Sequence, residues 1–242
     1  MPRAAFAGHC NRNFDGRYGT VTDLLATADL FADDDPGFPA RAELGPGACI
    51  LRGYACADEA AIFAALESIV VQAPFRHLVT PGGFTMSVAM TNCGDLGWVS
   101  DRRGYRYATH DPDSRQPWPP MPAVFLNLAI RAAREAGYDR FSPDACLINR
   151  YQPGSRLTLH QDRNEHDLLQ PIVSVSLGVP AMFLFGGLTR AAKQTRVGLM
   201  HGDVVVWGGL SRLCFHGVLP IREASHPLTG NCRINLTFRN VR

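Results

Sequence analysis

From Asp144 to the C-terminus the chain consists of short apolar runs cut by turn residues, with no helical stretch among them. The runs fall at 145–151, 156–161, 171–178, 181–185, 195–200, 203–207, 213–218 and 232–239. Turns separate them at Pro153-Gly154, Gly178, Gly186-Gly187, Gly202-Asp203, Gly208-Gly209 and Gly230. Runs this short and rich in Val, Ile, Leu and Phe read as strands. So many strands without intervening helices must bury their faces on one another, as in a sandwich or double-sheet jelly roll over 144–240. The fold class expected is mainly β (α+β).

Two upstream segments carry helical periodicity. Ile62, Leu66, Ile69 and Val70 share a face of a segment running from Asp58, the expected N-cap, to about Gln72. Val124, Leu128 and Ala132 share a face from about Pro122 to Ala136, with Gly137 as the stop. These N-terminal helices should pack on an outer face of the β core. Ala48–Arg52 and Phe84–Met90 read as strands. Residues 1–28 read as a loosely specified extension. Residues 29–47, rich in Asp, Pro and Gly, read as extended linker.

The chain has 242 residues, 46% of them hydrophobic, with a net charge of +2. That charge alone does not announce a nucleic-acid partner. Seven scattered Cys without a Cys-x-x-Cys pair argue for reduced thiols and a cytoplasmic setting. No apolar run reaches membrane-spanning length and no signal-peptide core opens the chain, so no membrane association is expected.

Residues 91–121 differ in character. Trp98, Tyr105, Tyr107 and Trp118 are interleaved with Arg102, Arg103, Arg106 and Arg115 in a segment that reads as long and irregular. Such a mixture suits base stacking with phosphate contact. It equally suits a loop pinned by its aromatics, and composition does not separate the two.

Within the β region, Arg156–Asp162 begins as a strand and ends in His160-Gln161-Asp162. An imidazole and a carboxylate two residues apart can reach one point. With one distant His they make the 2-His-1-carboxylate face that suits Fe(II) and leaves positions open. His216, on a later strand, is the candidate third ligand. With eight His in the chain, a single His-x-Asp is weak by itself. The last strand adds weight. Ile234, Leu236 and Phe238 alternate with Arg233, Asn235, Thr237 and Arg239. That polar face fits either a solvated edge strand or an interior whose guanidiniums clamp a dicarboxylate.

Together these motifs resemble the AlkB family of Fe(II)/2-oxoglutarate dioxygenases, close to its bacterial nucleic-acid repair members. The carrying residues are Met86–Gly94 (MSVAMTNCG), Leu147-Ile148-Asn149-Arg150-Tyr151, His160-Gln161-Asp162, Pro171–Gly178 (PIVSVSLG), His201–Gly209 (HGDVVVWGG) and Arg233-x-Asn235-x-Thr237-x-Arg239. The likeness spans about Asp29 to Arg239. It implies a dioxygenase domain over 29–242, with a double-stranded β-helix core and a nucleotide-recognition segment at 75–121. It implies Fe(II) held by His160, Asp162 and His216, with 2-oxoglutarate and O2 as co-substrates. Arg239 would pair with the carboxylate of 2-oxoglutarate near the metal, Arg233 with Asn149 and Tyr151 would hold the distal one, and Asn235 is a further co-substrate contact. The activity implied is oxidation of N-methyl groups on bases of the N1-methyladenine and N3-methylcytosine type, with release of formaldehyde, succinate and CO2. Alkylated DNA is the partner implied, with RNA often a second, and a monomer follows family habit.

By the same resemblance the flipped base lies between Trp98 and His160. Met90 lines its pocket, Tyr105 and Tyr107 contact the backbone or lesion side, and Arg190 touches substrate. Trp207 reads as packing beside the site. One departure stands out. Where close relatives carry an Asp facing the base, this chain has Asn164, followed by Glu165. A carboxamide attracts a cationic methylated base less than a carboxylate does. An altered lesion preference is expected, with Glu165 a candidate to compensate. The competing readings are a related oxygenase acting on a protein or small molecule, a non-catalytic binder of methylated nucleic acid, and a structural metal protein. A closed structural zinc site would not need the arginine pair.

Overall fold

The computed structural model describes residues 39–242, so the expectations for residues 1–28 and for the first part of the linker lie outside the described residues. Fourteen strands and two α-helices follow in chain order: β1 Arg41–Gly45, β2 Ala48–Leu51, α1 Glu59–Gln72, β3 Arg76–Val79, β4 Thr85–Gly94, β5 Gly97–Asp101, β6 Gly104–Ala108, α2 Ala123–Glu135, β7 Ala145–Tyr151, β8 Leu157–His160, β9 Ile172–Gly178, β10 Ala181–Phe185, β11 Thr195–Leu199, β12 Val204–Trp207, β13 His216–Val218 and β14 Arg233–Arg239.

An eight-stranded sheet runs β1-β2-β12-β9-β14-β7-β4-β3, and a four-stranded sheet runs β11-β10-β13-β8. All pairings within them are antiparallel. This is the jelly roll expected, and the strand alternation explains its layers. On β14, Ile234, Leu236 and Phe238 pack with Ile62, Leu66, Phe125 and Leu128 from the helices. The opposite face of the large sheet meets the small one through Tyr151, Phe183, Phe185, Val205 and Trp207. The helices therefore cover the outer face of the large sheet. The space between the sheets is left for Arg233, Asn235 and Arg239, all buried. The solvated-edge reading of β14 is excluded, because β14 lies between β9 and β7.

Two expectations are corrected. Arg41–Gly45, assigned to linker, is an edge strand pairing β2 through a turn at Gly47, whose φ is +73°. Its mixed, half-exposed composition carries no apolar alternation to reveal it. The 91–121 segment is not irregular throughout. β4 continues to Gly94, and β5 and β6 form a separate two-stranded hairpin closed at Gly104, with φ +123°. Only Val99 of its aliphatic residues is buried, and the alternation of Tyr105 and Tyr107 involves aromatics that also suit a loop, so the sequence does not distinguish the strands from one. Asp58 is the N-cap of α1, as expected, although its carboxylate makes no capping bond and pairs with Arg131 of α2.

Candidate active site

β8 and β13 are neighbours in the small sheet, and their register sets His216 directly opposite His160. Gly217 permits this close approach: a Cβ there would lie 2.7 Å from the Leu157 carbonyl oxygen. Asp162, just beyond β8, completes the group. Its Oδ1 lies 3.7 Å from His160 Nε2 and its Oδ2 lies 3.8 Å from His216 Nε2. Ligand atoms of all three residues fall within 4.8 Å of one another.

Hydrogen bonds fix which imidazole nitrogen faces the centre. His160 Nδ1 lies 2.9 Å from the Thr158 carbonyl, and His216 Nδ1 lies 3.0 Å from the Cys214 carbonyl. A carbonyl only accepts, so each Nδ1 carries the proton and each Nε2 presents a lone pair. Burial, with His160 alongside, pushes the His216 pKa down to about 4, which keeps that ring neutral. Burial alone would raise the Asp162 pKa. Arg239 and the two imidazoles outweigh it and hold the carboxyl below the usual carboxylate range. Two neutral imidazoles and one carboxylate, with an open side, fit Fe(II).

A cavity of about 850 Å³ opens beside these ligands. Its floor holds Asn149, Tyr151, Arg233 and Arg239. Arg233 is 2% exposed and stacks on the Tyr151 ring at 5.0 Å. Its Nη2 donates to Ser176 Oγ at 2.8 Å and the Tyr151 phenol lies beside the guanidinium, but Nε and Nη1 make no hydrogen bond of normal geometry. Among the described residues no carboxylate pairs with it, and burial lowers its pKa. A buried guanidinium with two unpaired nitrogens is costly unless an anion arrives. Asn149 Oδ1 is likewise unpaired. A carboxylate-bearing co-substrate fits this floor.

Arg239 is committed differently, donating from Nε and Nη2 to Asp162. Asn235 has no polar group to spare. Its Nδ2 donates to Ser174 Oγ and the Val175 carbonyl, and its Oδ1 accepts from Asn149 and Thr237. It braces the floor rather than facing the cavity with a free atom.

Trp98, Tyr105, Asn164 and Arg190 line the cavity toward solvent, and Met90 lines it from a buried position. Trp98 and Tyr105 stack at 5.5 Å, and Arg190 lies over the Phe215 ring at 5.0 Å. Tyr107 does not join them. It is turned inward, and its hydroxyl donates to Glu165. Glu165 is buried against Arg212 at 3.0 Å, so it cannot compensate at the base for Asn164. Both expectations are corrected by partners the sequence does not show: Tyr107 shares a face of β6 with Tyr105 but reaches Glu165, and Arg212 holds Glu165 in the interior. Trp207 packs with its ring 4.9 Å from His216.

Sequence reasoning missed Ser174, Ser176 and Arg212. Two serines at alternate positions of apolar β9 were the available signal, since they mark the polar inner face. Arg212, in a turn, carries no such signal. The His201-Gly202-Asp203 motif is a structural turn: Asp203 accepts from the Gly53 and Met200 amides and from Arg52.

The comparisons agree with this geometry. The sequence profile described as the 2OG-Fe(II) oxygenase superfamily matches residues 47–239. The chain is 56% identical over 213 residues to the alpha-ketoglutarate-dependent dioxygenase AlkB of Escherichia coli (strain K12), covering 88% of this chain and 97% of that protein. It is 32% identical over 162 residues to the tRNA demethylase abh1 of Schizosaccharomyces pombe, covering 61% of this chain and 53% of that protein. Among solved structures, that of OsALKBH1 matches with a TM-score of 0.73 and 31% identity, covering 83% of this chain and 99% of that one. The chain therefore belongs to the AlkB family of 2OG-Fe(II) oxygenases and is a dioxygenase using Fe(II), 2-oxoglutarate and O2.

Proposed function

We propose that the protein removes methyl groups oxidatively from N-alkylated bases in nucleic acid, of the N1-methyladenine and N3-methylcytosine type, in DNA and in RNA. The observation that carries this reading is the buried Arg233, without a carboxylate partner among the described residues, on the floor of the cavity that holds His160, Asp162 and His216. A cavity with a metal face, a carboxylate receptor and an aromatic mouth suits a co-substrate held deep and a flat base held at the entrance. Iron held by His160, Asp162 and His216, with 2-oxoglutarate and O2, would supply the oxidising power for demethylation, the methyl carbon leaving as formaldehyde.

The protein's own residues bind, orient and exclude water. His160, Asp162 and His216 hold the metal. Arg233, Tyr151 and Asn149 hold the distal carboxylate, and Arg239 keeps Asp162 ionised. Trp98 and His160 sandwich the base, with Met90, Tyr105, Asn164 and Arg190 around it. Residues 75–121 form the recognition segment and 144–240 the barrel. We place the protein in the cytoplasm as a monomer. Its scattered thiols support the compartment, and no helix of the described residues is long and apolar enough to cross a membrane.

The test is anaerobic addition of Fe(II) and 2-oxoglutarate, then aerobic turnover on modified oligonucleotides. A visible charge-transfer band should appear, and formaldehyde release should follow methylated but not unmodified strands. Turnover stimulated instead by a protein or small molecule would overturn the nucleic-acid assignment.

A further inference from the structure

We infer that Tyr107, Glu165 and Arg212 form a latch between the β5–β6 hairpin and the loop carrying Asp162, with Glu165 a positioning residue for that metal ligand. This rests on the active-site reading above. The hairpin is a two-stranded sheet of its own, and such a ribbon is marginal without anchors. Toward the large sheet it is tied by Asn92, which accepts from the Trp98 amide at 3.0 Å and donates to the Trp98 carbonyl at 3.1 Å. Ser100 adds a bond to the Val79 carbonyl at 2.7 Å. Toward the metal it is tied by Tyr107, whose hydroxyl donates to Glu165 Oε1.

Glu165 joins two further groups. Its Oε2 accepts from Arg212 Nη2 at 3.0 Å, and its Oε1 lies 3.5 Å from Arg239 Nε. Arg212 spends its other nitrogens on the same loop, Nη1 on the Asp162 carbonyl at 2.6 Å and Nε on the Gln170 carbonyl at 2.8 Å. One guanidinium thus spans both ends of the loop from Asp162 to Gln170. Arg239 Nε sits between two carboxylates, 3.1 Å from Asp162 Oδ2 and 3.5 Å from Glu165 Oε1. The four buried charges balance, so a change at Glu165 alters how strongly Arg239 draws on Asp162.

The arrangement gives the network a purpose beyond filling the interior. Tyr105 and Tyr107 alternate onto one face of β6. Tyr105 stacks with Trp98 at the mouth while Tyr107 reaches Glu165. Neither Tyr107 nor Glu165 lines the cavity, so each acts on the reaction only through other residues. A base pressing on Trp98 and Tyr105 loads the same strand that is pinned beside the metal ligand.

The experiment compares full-length wild type, Tyr107→Phe and Glu165→Gln. In Tyr107→Phe, amide exchange across Gly97–Ala108 should quicken about tenfold or more, as expected for loss of a hydrogen bond to a charged group. Its charge-transfer band should persist, while 2-oxoglutarate consumed per formaldehyde released rises severalfold. In Glu165→Gln, Arg239 is no longer shared and weakens Asp162 as a donor, so the band should move to shorter wavelength. Wild-type hairpin exchange in Tyr107→Phe overturns the latch, and weaker oligonucleotide binding alongside it assigns Tyr107 to substrate. A folded Glu165→Gln with an unmoved band overturns the positioning role. If wild type itself gives no band, the active-site reading fails, while the exchange comparison, which needs no metal, still decides the latch. If Glu165→Gln does not fold, Tyr107→Phe decides it alone.

Discussion

Arg239 places two donors, Nε at 3.1 Å and Nη2 at 2.8 Å, on a single oxygen of Asp162, Oδ2. Oδ1 is left toward His160 Nε2 at 3.7 Å. The guanidinium therefore keeps the ligand ionised through one oxygen while the other remains open to a metal.

Replacing Arg239 by Met strands a buried carboxylate. The metal-free protein should lose about 3–5 kcal/mol in urea unfolding at neutral pH. The Asp162 pKa is depressed in the folded protein, so this stabilisation is present above the unfolded carboxylate pKa and disappears as pH falls through the folded one. The gap between wild type and variant should accordingly close in acid. A gap that persists unchanged to the lowest pH would reject the assignment.

His216 adds to the acid loss, at higher pH. Its folded pKa of about 4 lies below the ordinary imidazole value of 6.5. Between those values the unfolded chain binds a proton that the folded chain refuses. Metal-free protein should therefore lose stability as pH drops from 6.5 toward 4. His216→Gln should flatten that slope in thermal melts, and bound metal should shift the loss to lower pH.

Arg233 has two unpaired nitrogens for an arriving carboxylate. Arg233→Ala should raise the KM for 2-oxoglutarate by about 10- to 100-fold, the range for a charge-assisted hydrogen bond. Affinity for Fe(II) alone should change little. Equal losses of both would mean that Arg233 supports the fold rather than the co-substrate.

Gly217 is the contact that lets β13 lie against β8. Gly217→Ala would push a methyl to 2.7 Å from the Leu157 carbonyl, parting His216 from His160. Iron affinity should fall at least tenfold while the helical signal in circular dichroism is kept. Wild-type iron binding would show that the register tolerates the methyl.

Asn164 lies at the cavity mouth, and Glu165 is not available to replace its missing charge. Asn164→Asp should raise turnover on cationic N1-methyladenine and N3-methylcytosine relative to neutral lesions. Identical lesion profiles for variant and wild type would remove Asn164 from base choice.

The sequence alone determined the strands from Ala145 onward, because short apolar runs between glycines leave a chain few alternatives. It also exposed the polar row Arg233, Asn235, Thr237 and Arg239, since side chains on a strand must alternate. His160 with Asp162 was legible as a local pair. Tertiary structure alone decided what those rows face. It set His216 opposite His160 through β-strand register, which depends on pairing between distant segments. It also separated residues that look alike in the chain. Arg239 was given to Asp162 while Arg233 was left open, and Tyr105 went to the mouth while Tyr107 went to Glu165. Such choices rest on which buried charges find partners, and no local pattern of residues carries that information.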